Sequence, residues 1–426
     1  MEMEVWPFLA LSLGVTGLVR LLPWGTERQR IVASLLVLLA FMCWAPFVLD
    51  NFRLFQMTRI AVLGLALLGL NILTGYNGQV SLGHGAFVLM GAYTVAVLLD
   101  RKEQLNLIDA SPWPFWATII VAGILAAAAG LVIGVPSLRL SGPYLAIATL
   151  AVMISFPIIV RKYGAFTGGS QGLGFSRPPQ PPFLEDLISR EAWMYFLCLL
   201  VLVVMVLLGW NLLRGQFGRA LQAVRDSEVA AAAMGIDVAR VKVLAFVISA
   251  FYGGVAGALL GLISGIVNPD TVDIVQSINY LAGIVIGGLA SIMGSIIGAA
   301  ALVFIPSDAA KVVAKLPILS SDVVTRAPGA IQGAVVIVVM LLMPYGVAGV
   351  LHRLARLRLD QIAARWREAP ALLSRSLQRA SWAWDIRLWA RHGPGTGHSP
   401  REGVVGRGQG NLPTQQPRED PTKGGQ

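Results

Sequence analysis

FQMTRIAVLGLALLGLNILTGYNGQVSLGHGAFVLMGAYTVAVLL, residues 55–99, is the stretch whose reading decides the fold. Two apolar runs, 55–73 and 83–99, flank an uncharged polar interruption, TGYNGQVSLGHG at 74–85. Runs of this length with almost no charge are candidates for helices crossing a hydrocarbon core of about 30 Å. Similar runs recur on either side, at 5–22, 31–49, 115–135, 142–160, 193–213, 241–266, 277–305 and 329–350. The pattern predicts an all-α polytopic membrane protein with about nine or ten membrane segments, some of them broken or re-entrant. Composition agrees: of 426 residues 56% are hydrophobic and 13% charged, roughly half the charged share of a soluble domain. A soluble enzyme, a disordered scaffold and a disulfide framework are excluded. The two cysteines, Cys43 and Cys198, lie inside apolar runs and read as small buried hydrophobes.

The net charge of +10 is unevenly placed. Residues 352–426 hold 13 of the 33 basic residues and 6 of the 23 acidic ones. This is the pattern of a basic tail, not of a nucleic-acid-binding face. Residues 1–351 read as the transmembrane domain. Residues 352–392, with Trp366, Trp382, Trp384 and Trp389 among arginines, suit a helical segment at the cytoplasmic lipid interface. From 393 to 426 the composition predicts a disordered tail. Glu2 and Glu4 precede the first run without a basic residue, so that run reads as a retained helix with its N-terminus outside. Alternation then puts Arg20, Arg28, Arg30 and Arg139 inside, together with the Arg-rich loop 214–240. Loops 100–114, 161–192 and 267–276 fall outside. A cytoplasmic tail requires 277–305, interrupted by GGLASIMGS at 287–295, to enter and leave on the outer side. The two polar interruptions are weakly alike, and an internal repeat would account for both.

No Asp or Glu falls within any of these spans. Ion-coupled transporters and membrane hydrolases place ionisable groups there, so this absence weighs against both. His84 reads as the titratable group near mid-membrane, and bonding to backbone freed by the helix break is its simplest role. The chain lacks a phosphate-binding loop of the G-x-x-x-x-G-K-[ST] type. LSGPY at 140–144 reads as a turn into a helix. Energy is therefore expected from a partner, and no cofactor or metal is expected in this chain.

The loop RGQFGRALQAVRDSEVAAAAMGIDVAR, 214–240, predicts a helix over Arg219–Met234 ended by Gly235. A short polar helix there suits either docking of a cytoplasmic protein or a solvated connection. The stretch Gly218 to Gly235, followed by VKVLAFVISAFYGGVAGALLG, resembles the permeases of branched-chain amino-acid ABC importers, in particular the LivM-type subunit. The likeness continues in LNILTGYNGQVSLGHGAFVLMGAYT (70–94), GPYLAIATLA (142–151), TGGSQGL (167–173) and YLAGIVIGGLASIMGSIIGAA (280–300), covering 55–350 in order.

This resemblance implies the ABC-importer permease fold in a bacterial inner (plasma) membrane. The protein would not itself be an enzyme. It would form a heterodimer with a LivH-type permease and work with two cytoplasmic ABC ATPase subunits and an extracytoplasmic substrate-binding protein. Gly218, Arg219, Arg225, Glu228, Ala230, Ala231 and Gly235 match the family's ATPase-coupling motif. Arg225 and Glu228 are expected to face the partner. The familiar E-A-A-x-x-x-G spacing here contains an extra residue, Val229. Thr74, Gly75, Asn77, Gln79, Ser81 and His84 are the candidate lining of the translocation path, or else simply pack two broken helices. The implied activity is ATP-driven import of leucine, isoleucine and valine by alternating access. Urea, short amides or another small amino or organic acid are the alternative cargoes, and an ion-coupled secondary transporter is the alternative mechanism.

Overall fold

In the computed structural model, the described residues are 40–100, 115–140, 142–175, 177–181, 188–314 and 321–342, with Val37, Gly346, Val347 and Gly349. All belong to one compact unit, Met1–Leu359. The expectations for 5–22, the first part of 31–49 and the segments 352–392 and 393–426 lie outside the described residues.

Asp50 begins the first long helix, α1 (Asn51–Asn71), its carboxylate accepting from the Arg53 amide at 3.3 Å. The coil then widens into a π-turn, Ile72–Tyr76. Such turns absorb an irregularity without stopping the helix. α1 is apolar on all sides and almost wholly buried, the signature of a bundle's central helix. An irregular stretch, 77–83, leads to α2 (His84–Asp100). α3 (Phe115–Ser137), α4 (Pro143–Lys162) and the one-turn α5 (Gly164–Thr167) follow. LSGPY is a turn into a helix: Gly142 takes φ 56° and Pro143 opens α4.

α6 (Arg190–Arg214) leads through two short helices, α7 (Gln216–Asp226) and α8 (Glu228–Ala233), to α9 (Val238–Ser264). α9 packs on α1, α2 and α3. Small residues let these backbones touch. A Cβ on Gly91 would strike the Gly254 carbonyl, and one on Gly257 the Val88 carbonyl. Close backbone approach is how helices gain dispersion energy where lipid removes the hydrophobic drive. α3, α4 and α6 turn apolar side chains outward, among them Val132, Ile147 and Leu200.

The segment drawn as 277–305 is two helices, α10 (Ile274–Gly287) and α11 (Ile292–Ala314). Between them Gly288 takes φ 119° and Ala290 φ 55°. The helices meet through Gly287, Gly294 and Gly298, where an added Cβ would collide with facing backbone, and through Gly283, where it would press on the Leu302 and Leu67 side chains. The start of α10 (Gln276, Asn279) and the later part of α11 (Leu302, Ser307) both flank the first half of α1. The pair is thus a hairpin that returns to the end it left. α12 (Ser321–Leu342) packs against both.

At that same end β1 (Leu173–Gly174) pairs antiparallel with β2 (Ile266–Val267), and Arg161 bridges Asp270 at 2.6 Å. Loops 161–192 and 267–276, assigned to one side by charge, therefore meet. Among the described residues, five helices are long and apolar enough to cross a membrane, counting Asn51–Tyr76 as one. Four apolar helices, His84–Leu99, Ile274–Gly287, Ile292–Asp308 and Gly329–Val338, are shorter.

Candidate coupling element and broken-helix site

At the opposite end, α7 folds back on α6. Gly218 makes this possible, because a Cβ there would overlap the Leu213 carbonyl. Gly218, Leu221 and Val224 form the buried face of α7. The single helix expected over Arg219–Met234 is corrected: it divides at Ser227, which is extended (φ −164°, ψ 113°). Its hydroxyl accepts from the Ala230 amide at 3.2 Å and so caps α8. Serine competes well for that capping role, and this outweighs the alanine-rich propensity around it. Gly235, at φ 83°, closes the element, and the Asp237 carboxylate caps α9.

Each residue matched to the coupling motif has a distinct place. Gly218 and Ala231 are buried; Arg219, Ala230 and Gly235 are exposed. Arg225 and Glu228, expected to face a partner, are both exposed, and each also makes contacts within the chain. Arg225 donates to the Gly75 carbonyl at 3.1 Å and to Asp226 at 3.1–3.2 Å, and its stem lies over Gly78. Glu228 pairs with the nearly buried Lys242 at 2.6 Å. A mostly desolvated ammonium needs a partner, so this pair ties α8 to α9. Two apolar side chains also project here: Val229 of α8 and Met234, which follows it, are each 83% exposed. The extra residue in the motif thus sits at the tip of the element.

Arg225 also links this element to the helix break. Thr74 donates to the Gln79 carbonyl at 3.0 Å, and the Asn77 amide to the Gln79 side chain at 2.8 Å. Ser81 accepts from the Gly83 amide at 3.3 Å, and Thr149 of α4 from the Leu82 amide at 3.0 Å. Ser277 of α10 accepts from Gly85 and donates to the Leu82 carbonyl. The His84 Nδ1 is 3.4 Å from the Ser249 hydroxyl, with Phe87 and Tyr280 edge-on. Unwound backbone in a low-dielectric interior is tolerable because these side chains replace its lost partners.

Thr74, Gly75, Asn77, Gln79, Ser81 and His84 are brought together and buried. Thr74, Asn77, Gln79 and Ser81 bond within the chain. Asn77 Oδ1 is buried with no hydrogen-bond partner among the described residues.

The second break docks onto the first. Asn71, fully buried, donates to the Ser291 carbonyl at 2.8 Å and the Ser295 hydroxyl at 3.0 Å, and accepts from the Ala290 amide at 2.9 Å. Gly75 allows the approach, since a Cβ would overlap the Asn71 side chain. Sequence reasoning missed Asn71, Thr149, Ser249 and Ser277. Single polar residues inside apolar runs were the available signal. It also missed Arg59, a cation within the run 55–73 and the third turn of α1.

A bundle of apolar helices, several long enough to cross a membrane and two of them interrupted by interlocked backbone breaks, is the architecture of a polytopic membrane transport protein. The comparisons agree. The family described as branched-chain amino acid transport system / permease component matches residues 52–344. The chain is 33% identical over 302 residues to the high-affinity branched-chain amino acid transport system permease protein LivM of Escherichia coli (strain K12), covering 66% of this chain and 68% of that protein. The LivM of Salmonella typhimurium gives the same figures. LivH of Salmonella typhimurium is 25% identical over 290 residues, 66% of this chain and 89% of that protein. No solved structure matches. The chain belongs to the branched-chain amino-acid transport permease family and is of the LivM type.

Proposed function

We propose that this chain is one permease subunit of an ATP-driven importer for leucine, isoleucine and valine. In this reading it pairs with a LivH-type permease in the inner membrane, two cytoplasmic ATPase subunits seat on α7–α8, and an extracytoplasmic binding protein delivers the cargo. The N-terminus is outside and the tail inside. With the runs 5–22 and 31–49, and with the α10–α11 pair taken as one hairpin opening outward, the apolar helices make up about nine or ten membrane segments. The observation that carries the proposal is the docking element: Val229 and Met234 project from α8 while Arg225 reaches back to the break at Gly75. Movement of α7–α8 by an ATPase would pull directly on the unwound segment and drive alternating access.

Two variant sets test this. Val229→Asp with Met234→Asp should abolish co-purification of the ATPase subunits and leave the permease pair intact; retained ATPase would refute docking at α8. The 74–84 segment borders the path when the break opens, and Asn77 Oδ1, unsatisfied here, then gains a partner. Asn77→Leu with Gln79→Leu should cut leucine uptake while the ATPases still assemble. Unchanged uptake would remove the path role.

A further inference from the structure

A cavity of ≈ 400 Å³ lies far from the coupling element, where the first half of α1 faces α10, α11 and α12. That volume is within the usual range for small-molecule sites, about 300–1,000 Å³. Arg59 lines it and is exposed to it, roughly 24 Å along α1 from Gly75 at 1.5 Å per residue. Four carboxamides, Gln56, Gln276, Asn279 and Gln332, and the Ser307 hydroxyl make up the rest of the polar lining. The Gln332 amide donates to Asn279 Oδ1 at 3.4 Å, joining α12 to α10 across the space. Phe55, Leu63 and Leu302 supply apolar wall.

This lining has a chemical meaning. A cation inside an apolar span is costly, so its default reading is a functional group with a specific counter-charge. Among the described residues Arg59 makes no ion pair, and no acidic side chain lines the cavity. The guanidinium fork matches a carboxylate. Carboxamide oxygens can receive an ammonium without trapping it, and the wall suits an aliphatic side chain.

We propose that this cavity binds the amino-acid cargo, with Arg59 on its α-carboxylate and the apolar wall on its branched side chain. The assignment rests on the amino-acid permease reading and deepens it. It places a selectivity site inside the permease itself, on the side away from the motor.

The test uses the assembled transporter, without its binding protein, in nanodiscs of neutral lipid. Binding of L-leucine is compared with L-leucinol, which lacks the carboxylate, and 4-methylpentanoate, which lacks the ammonium. Leucine and 4-methylpentanoate should bind and leucinol should not. Arg59→Gln should weaken leucine binding about tenfold or more, as expected for a lost charge-assisted hydrogen bond, and Arg59→Lys should restore part of it. Gln332→Leu, on a different helix, should weaken it as well, so the result does not hang on one variant's assembly. Equal leucine binding by wild type and Arg59→Gln would overturn the proposal. So would equal binding of leucinol, or a response that follows added anionic lipid instead of leucine. Leucine uptake by cells carrying the whole system separates the two claims. Wild-type uptake in Arg59→Gln overturns the cavity assignment alone, whereas no uptake by the wild type overturns the cargo reading.

Discussion

Arg225 joins the 214–240 element to the helix break. Its guanidinium sits on the carbonyl of Gly75, at the end of the π-turn, where a helix C-terminus carries unsatisfied carbonyls and partial negative charge. Its stem covers Gly78, whose φ of 77° suits glycine and resists other residues. A lost charged hydrogen bond is worth about 1.5–3 kcal/mol. Arg225→Gln should therefore lower leucine uptake roughly tenfold while ATP hydrolysis by the assembled complex continues, an uncoupled phenotype. Arg225→Lys keeps the charge and should lose less. If uptake and hydrolysis fall together in both variants, Arg225 serves assembly and the link to Gly75 carries no signal.

Two elements, the breaks at 74–85 and 288–291, behave as one joint. From the helix that leads into the first break, Asn71 satisfies two backbone groups of the second, at Ala290 and Ser291, and bonds the Ser295 hydroxyl just beyond it. Their meeting fits the weak resemblance between TGYNGQVSLGHG and GGLASIMGS, and gives it a physical basis: each unwound segment needs partners that the other helix supplies. The hairpin geometry of α10 and α11 leads to a topological prediction. With both ends of the hairpin on the outer side, a cysteine at Lys315 in a cysteine-free background should react with a membrane-impermeant thiol reagent added outside to intact cells. Labelling only after permeabilisation would place that position inside and reverse the assignment.

At the scale of the molecule, what could be read in advance was what is local. Apolar runs located the helices α1 to α4, α6 and α9 to within a few residues, because burial in lipid is written into each run separately. Polar glycine-rich clusters located both breaks. The division of α7 from α8 was missed because one serine's capping preference prevailed over alanine propensity on both sides. Contacts across the sequence were not legible. Arg225 and Gly75 are 150 residues apart, and Asn71 and Ala290 are 219 apart. Nothing in either segment alone names its partner. Arg59 was legible as a charge within an apolar run, but its meaning depends on α10, α11 and α12 closing a cavity around it. The transport cycle proposed for this permease is powered by ATP hydrolysed on partner subunits. Leucine uptake into proteoliposomes holding this chain, its LivH-type partner, the ATPase subunits and the binding protein tests that most directly. Uptake should require ATP and every subunit and persist when sodium and proton gradients are collapsed; uptake by this chain driven by either gradient without the ATPases would overturn the proposal.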